Sequence, residues 1–413
     1  MTILLGEILV YISIFIGLYF ATFVFSTVFE YKDEIYYKPK RKFYPKVSLI
    51  IPCYNEEKNI SKTLQSILNL DYPRENLEII VVDDGSIDKT LAIAQEFAKK
   101  DNRIEVFHKE NGGKYTALNF AIEKSQNPFV GTVDADSFLQ KDSIKKIMEQ
   151  FEEPQIMAVI STVRIANPKT IFEGVQYVEY LMGSLYRKAF AFLNSVSVVP
   201  GPLSVFNKKV FSKIGLYKKA HQTEDFEFAL RMQKANLKIA YAIDAIVYTQ
   251  GCRTFMELLR QRLRWNRGFL LNVKDYPELL NLRKHGNLAF LLITSVFGCF
   301  MAVVLFIYGA YRFFNLLYLR FNQLMLAKAD FFRFSFNWPD WTKVDITPVF
   351  FLGACAFVVF FAYVFFSKKY TKDSGPSKRN VVFYLVIFPF INSIFWIITF
   401  WSVMFKRKEI IWE

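Results

Sequence analysis

The chain has 413 residues, 53% hydrophobic and 18% aromatic, and a formal net charge of +14. That length buries one substantial soluble core with apolar sequence left over, and basic segments beside apolar runs fit anionic lipid head groups, so nucleic acid is not an expected partner. Cys53, Cys252, Cys299 and Cys355 are too scattered for a disulfide framework or a zinc site, and His108, His221 and His285 lie too far apart to suggest a histidine metal centre.

Residues 3–29 are long enough to cross a bilayer and carry one charge, Glu7, near their start. The run is too long for a signal-peptide core, with no basic segment before it and no small-residue cleavage pattern after it, so it is expected to persist as an anchor over 1–30. Residues 31–46, rich in Lys, Tyr and Pro, read as a juxtamembrane linker.

A soluble domain is expected over 47–250. Val47 to Ile51 is a β-branched run ended by Pro52; Ile60, Leu64, Ile67 and Leu68 repeat at helical spacing; Leu77 to Val82 is the next apolar strand. Helical patterns near 88–99 and 114–125 alternate with strands at 104–107 and 129–133. The alternation predicts an α/β fold, a doubly wound and mostly parallel sheet.

Residues 171–196 mix apolar and charged residues at helical intervals, which fits either a helix lying on the membrane or one packed on the sheet. Residues 251–286 are amphipathic and basic and adjoin a membrane run, so interface helices are expected there. The remainder, 287–413, reads as a membrane region with spans near 287–311, 347–367 and 381–405.

Five stations carry the chemistry. Asp134 and Asp136 stand two apart after an apolar strand, so in extended backbone both side chains leave on one side. Oxygen ligands of this kind suit Mg²⁺ or Mn²⁺ sharing its shell with substrate phosphates. Asp83-Asp84-Gly85-Ser86 ends an earlier strand, where a carboxylate accepts from a base or ribose, or simply caps a turn. Asn111-Gly112-Gly113-Lys114 opens a helix and brings a cation and backbone N–H groups toward phosphate. Thr223-Glu224-Asp225 offers a general base, although it also suits a helix start. Gln261, Arg262, Arg264 and Trp265 fall on one and a half turns of a helix, with guanidinium groups for diphosphate oxygens and an indole face for a sugar ring.

In this order the stations resemble the membrane-integrated family 2 glycosyltransferases, whose members include cellulose, chitin, hyaluronan and poly-N-acetylglucosamine synthases. The resemblance covers 47–268 and the flanking spans. Besides the stations, it rests on Pro52-Cys53-Tyr54-Asn55-Glu56, on Ala117-Leu118-Asn119 and on Gly201-Pro202. It implies a GT-A domain inserted between transmembrane helices, an activated donor that is usually UDP-linked, and inversion at the anomeric carbon. By this resemblance Tyr54, Glu56, Asp83 and Lys114 hold the nucleotide, Asp134 contacts the donor, Asp136 binds the metal and Asp225 is the catalytic base. Gln261, Arg264 and Trp265 gate the diphosphate, and Gly201 and Pro202 lie in an acceptor-side loop.

The expectation is a processive enzyme polymerising a β-linked polysaccharide from a donor such as UDP-N-acetylglucosamine and exporting it. The alternatives are single transfer to a lipid-linked or oligosaccharide acceptor, and a non-enzymatic sensor or scaffold in a secretion complex. A growing glycan, membrane lipids and an accessory subunit are the implied partners. The plasma membrane is the expected location, with the catalytic domain cytoplasmic. Four spans then return the C-terminus outside with Lys406, Arg407 and Lys408, against the positive-inside rule. A membrane-dipping element within 312–345, where Trp338 and Trp341 sit, or an interfacial segment in place of one span would remove that conflict.

Overall fold

The computed structural model describes residues 2–326 and 348–405. Helix α1 (Thr2–Glu30) is followed by β1 (Val47–Cys53), α2 (Ile60–Leu68), β2 (Leu77–Asp83), α3 (Thr90–Lys100), β3 (Ile104–His108), α4 (Lys114–Lys124) and β4 (Phe129–Thr132). Next come β5 (Ser137–Leu139), α5 (Ser143–Gln150), β6 (Ile156–Ile165), α6 (Ile171–Phe192), β7 (Ser204–Asn207), α7 (Lys209–Ile214), α8 (Glu224–Lys234) and β8 (Lys238–Thr249). The chain then turns helical with α9 (Phe255–Asp275), α10 (Leu282–Leu326), α11 (Pro348–Thr371), α12 (Lys378–Val386) and α13 (Phe388–Met404).

The eight strands form one sheet in the order β3-β2-β1-β4-β7-β6-β8-β5. Pairs β1–β2, β2–β3, β1–β4 and β6–β8 are parallel, whereas β7 runs antiparallel between β4 and β6 and β5 runs antiparallel to β8. Strand order reverses between β1 and β4. In an open α/β sheet that reversal leaves a crevice at the carboxyl ends of the strands, because the connections on either side run to opposite faces.

Period-two alternation sends successive side chains to opposite cores. Leu49, Ile51, Ile79 and Val81 pack with α2, α3 and α5, while Ile50, Ile80, Val82 and Val130 face α4, α6 and α8. The second core does not stop at the domain edge: it continues through Leu185, Ala189 and Phe190 of α6 to Val24 and Val28 of α1, Leu291 of α10 and Tyr363 of α11. Helix α6 is therefore the sheet-packed helix of the two alternatives, and it also meets α1, α10 and α11. Its start is set by a capping box, Thr170 accepting from Glu173 N and Glu173 accepting from Thr170 N.

Among the described residues three helices are long and apolar enough to cross a membrane, Ile8–Glu30, Leu282–Gln323 and Phe350–Thr371. The run expected as a single span over 381–405 is instead α12 and α13, bent by 45° around Ile387, with Pro389 in the first turn of α13. Helix α13 lies against α9 through Phe395 on Phe255 and Trp396 on Phe269. At Gly286, φ 41° and ψ −110° break α10, so its continuous part starts at 287. That part runs past the expected end at 311 to Leu326, since no glycine or proline follows Gly309 before that point. The dipping element expected within 312–345 lies on α10 up to 326 and otherwise, with Trp338 and Trp341, outside the described residues.

The domain-side ends of these helices are held by the sheet domain. Tyr36 donates to Tyr370 O at 2.8 Å, and Arg164 of β6 pairs with Asp373, just beyond α11, at 3.1 Å. Asp373 also accepts from Tyr177 of α6 and from Gly375 N, and Arg164 donates to Thr371 O. Helix α10 thus leaves the domain and α11 returns to it.

Candidate active site

The crevice between β1 and β4 collects most of the stations. Asp134 follows β4, and Lys114 is the first residue of α4, so strand end and helix start face each other. Lys114 Nζ lies 2.6 Å from Asp134 Oδ1 and 3.6 Å from Glu224 Oε1. The lysine therefore bridges the Asp134-Ala135-Asp136 segment to the first turn of α8, which also carries Asp225. Burial disfavours a charge on Lys114, but Asp134, Glu224 and Asp225 outweigh it and raise its pKa.

Gly201 owes its place to β7. That strand runs antiparallel beside β4, so the residues before it pass over the end of β4. A Cβ on Gly201 would stand 2.7 Å from both Asp134 carboxylate oxygens and 2.7 Å from Lys114 Nζ. The backbone approaches the ion pair as closely as an absent side chain permits. Pro202 follows it, half-buried.

Asp136 accepts from Ser137 at 3.1 Å and lies 3.4 Å from Thr249 of β8. Burial, then Asp134 and Glu56, push its pKa up to about 6. Glu56 is raised by burial as well, against a hydrogen bond from Asn59. Among the described residues no three His, Cys, Asp or Glu side chains form a ready metal cage. A divalent cation still fits the donor set: the hard carboxylate oxygens of Asp134, Asp136 and Glu56, whose mutual repulsion Lys114 does not cancel.

Asp225 accepts from Phe226 N at 2.8 Å. Burial first and Glu224 second raise its pKa to about 6, with Lys114 and Arg264 opposing. A carboxylate tuned toward neutrality beside a cationic cluster is suited to taking a proton.

Asp83 lies apart from this cluster at the end of β2. It is fully buried, its Oδ2 is 2.7 Å from His108 Nδ1 and accepts from Ser86 N, and its Oδ1 has no partner. Tyr54 is exposed at the adjacent end of β1, the register pairing Cys53 with Asp83. The loops after β1 and β2 are cross-braced: Asn55 N donates to Ser86 Oγ, Ile87 N to Asn55 Oδ1, and Glu56 N to Thr90 Oγ1.

Two expectations about polar partners change. The N–H groups of Gly112 and Gly113, anticipated for phosphate, donate to Asp84 at 3.1 and 2.8 Å, with Lys109 on the same carboxylate. On α9, Arg264 donates to Gln222 O at 3.0 Å, Trp265 lies under the Arg262 guanidinium at 4.5 Å, and Gln261 Oε1 is buried without a partner. Arg262 pairs with Glu179 of α6 at 2.5 Å. Asp84, Lys109, Glu224 and Glu179 thus shape the site without having been given roles by the motif reading. Glu224 and Asp84 each adjoin a chosen acid, which is the one sequence signal they carried.

Comparison with known proteins fits this geometry. Residues 48–215 match the family model Glycosyl transferase family 2. These residues span β1 to just past α7, so the chain carries a family 2 glycosyltransferase domain and is an enzyme of the hexosyltransferase class. Within that class it is 25% identical over 356 residues to a poly-beta-1,6-N-acetyl-D-glucosamine synthase of Staphylococcus epidermidis, covering 85% of this chain and 80% of that protein. A protein of the same name from Staphylococcus aureus (strain COL) is 29% identical over 271 residues, covering 63% of this chain and 64% of that one. The fold is similar to the mannosyltransferase PcManGT from Pyrobaculum calidifontis in complex with GDP-Man and Mn²⁺, with TM-score 0.58, 17% identity, and coverage of 94% of this chain and 99% of that chain. The two chains share the GT-A fold.

Proposed function

We propose that this chain is a processive inverting glycosyltransferase that builds a β-linked polysaccharide from a UDP-activated sugar, UDP-N-acetylglucosamine first among them, and passes the product into the membrane. The observation that supports this reading is the Lys114 bridge from Asp134 to Glu224, the neighbour of Asp225 on α8. The similarity to poly-beta-1,6-N-acetyl-D-glucosamine synthases supports the sugar and the polymer. Basic residues on the domain side of α1, α10, α11 and α12 support a cytoplasmic domain: Lys38, Lys40 and Arg41 after α1, Arg283 and Lys284 at the start of α10, Lys368 and Lys369 in the last turn of α11, Lys372 just after it, and Lys378 and Arg379 at the start of α12.

In this mechanism Tyr54, Glu56 and Asp83 line the nucleotide side of the site at the ends of β1 and β2. Asp225 takes the proton of the acceptor hydroxyl as its oxygen attacks the anomeric carbon opposite the diphosphate. The carbon–oxygen bond to the diphosphate breaks, UDP leaves with the electron pair, and configuration inverts. Lys114 offsets the charge that develops on the leaving oxygens. A divalent cation held by Asp136, with Asp134 at the donor, would add Lewis-acid stabilisation of the same diphosphate. Gln261 and Trp265 stand at the membrane entrance, and Gly201 keeps the acceptor-side loop close to the reacting centre.

Purified protein in detergent with Mn²⁺ or Mg²⁺ and UDP-N-acetylglucosamine should release UDP, and Asp225→Asn should abolish release while UDP still binds. Turnover at wild-type rate in that variant would remove Asp225 from the base role.

A further inference from the structure

The turn that leads into Asp225 is unusual. Ala220, His221 and Gln222 stand in succession at φ 43°, 53° and 65°, a left-handed conformation that residues with a side chain adopt at a cost. Such backbone persists only where its surroundings over-determine it. Here the surroundings are one face of α9. Arg264 Nη1 donates to Gln222 O at 3.0 Å; Asn272 Nδ2 donates to Ala220 O at 3.1 Å and to Thr223 Oγ1 at 2.8 Å; Asp275 meets His221 Nε2 at 2.8 Å. Between them Gly268 lets α9 come so near that a Cβ there would fall 2.2 Å from Thr223 Oγ1. Positions 264, 268, 272 and 275 are spaced four, four and three apart, which is one stripe of a helix.

Asn272 is the centre of this stripe. It is 1% exposed, and both its bonds end on the turn. Thr223 closes the turn by accepting at its carbonyl from Glu227 N, so the first turn of α8 and Asp225 within it inherit whatever geometry α9 imposes.

We propose that Asn272 is a positioning residue for Asp225. It holds the 220–223 turn in its left-handed form and thereby sets where the carboxylate stands relative to the acceptor hydroxyl, taking no part in donor binding. This rests on the reading of Asp225 as the base. Helix α9 then has a role apart from any contact of its Gln261 and Trp265 with diphosphate or sugar: it aligns the base with the membrane entrance.

The test compares Asn272→Ala, Thr223→Val and the double variant with wild type and Asp225→Asn in detergent, following UDP release with UDP-N-acetylglucosamine and Mn²⁺. Thr223→Val keeps the shape that Gly268 contacts and removes only the hydroxyl, so it serves even where Asn272→Ala fails to fold. Each single variant should lower kcat by about ten- to a hundredfold with KM for the donor changed by less than about threefold. The double variant should fall by less than the product of the two single losses, because the changes share the Asn272–Thr223 bond while each also removes a separate bond to Ala220 O. A folded Thr223→Val enzyme with kcat within about twofold of wild type, or a loss expressed in donor KM alone, overturns the proposal while leaving Asp225 as base. Full turnover in Asp225→Asn removes the base assignment and the proposal with it.

Discussion

Two residues show how much the site depends on single atoms. Gly201 is tolerated because it lacks a Cβ, which would fall 2.7 Å from Lys114 Nζ and from both Asp134 oxygens. Gly201→Ala should therefore separate that pair and lower kcat/KM by about tenfold or more, while thermal unfolding in detergent changes little, the loop being only partly buried. Asp225 couples activity to stability. Its pKa is raised to about 6, so the folded state pays for ionising it. That cost is absent below the ordinary carboxylate value of about 4 and complete above the folded value. Asp225→Asn should consequently raise the melting temperature at pH 7.5, with the gain shrinking toward pH 4. In the wild type kcat should fall as pH drops below about 6, where the base becomes protonated. Loss of melting temperature in the Asn variant at pH 7.5 would contradict this electrostatic account.

At the scale of elements, the catalytic sheet was largely legible because its signals are local. Runs such as Val47 to Ile51 and Leu77 to Val82, each followed by helical spacing, announce βαβ units, and the structure has β1, α2 and β2 there. The antiparallel β7 was not anticipated, since Ser204–Asn207 is four residues long and its partner strands lie far away in sequence. The extended backbone expected to put Asp134 and Asp136 on one side is instead a turn, Ser137 N donating to Asp134 O at 3.0 Å; no local pattern showed that Gly201 would abut Asp134, because β7 brings it there. The grip of α9 on 220–223 was likewise hidden, for the stripe at 264, 268, 272 and 275 has meaning only once its partner is known. The bend at Ile387 was missed for a different reason: hydropathy runs unbroken through Pro389, and proline at a helix start does not interrupt it. The Arg164–Asp373 clasp, nearly buried on both sides, joins β6 to the α11–α12 loop. Asp373→Ala should cost about 3 kcal/mol in chemical denaturation, because an unpaired guanidinium is left buried, and adding Arg164→Met should recover part of it. An additive loss in the double variant would show that the two do not act as a pair.

For the whole molecule, the contiguous core through α6 makes the sheet domain and the membrane helices one mechanical body. The ends of α1 and α11 and the start of α10 sit on the same side as the site, each beside basic residues. Single cysteines replacing Asn281 or Ser374, in a background without the native cysteines, should be labelled by a membrane-impermeant thiol reagent only from the cytoplasmic face of vesicles. Labelling from the opposite face would invert the topology and separate the site from its nucleotide donor. The central claim joins this topology to the Lys114 bridge and to Asp225, and the most direct test of it is product analysis. Purified wild-type enzyme given UDP-N-acetylglucosamine and Mn²⁺ should release UDP together with long β-linked chains at low donor conversion, and Asp225→Asn should release neither. A product lengthened by one sugar per acceptor would contradict processive synthesis, and UDP release undiminished in the Asn variant would contradict the catalytic assignment.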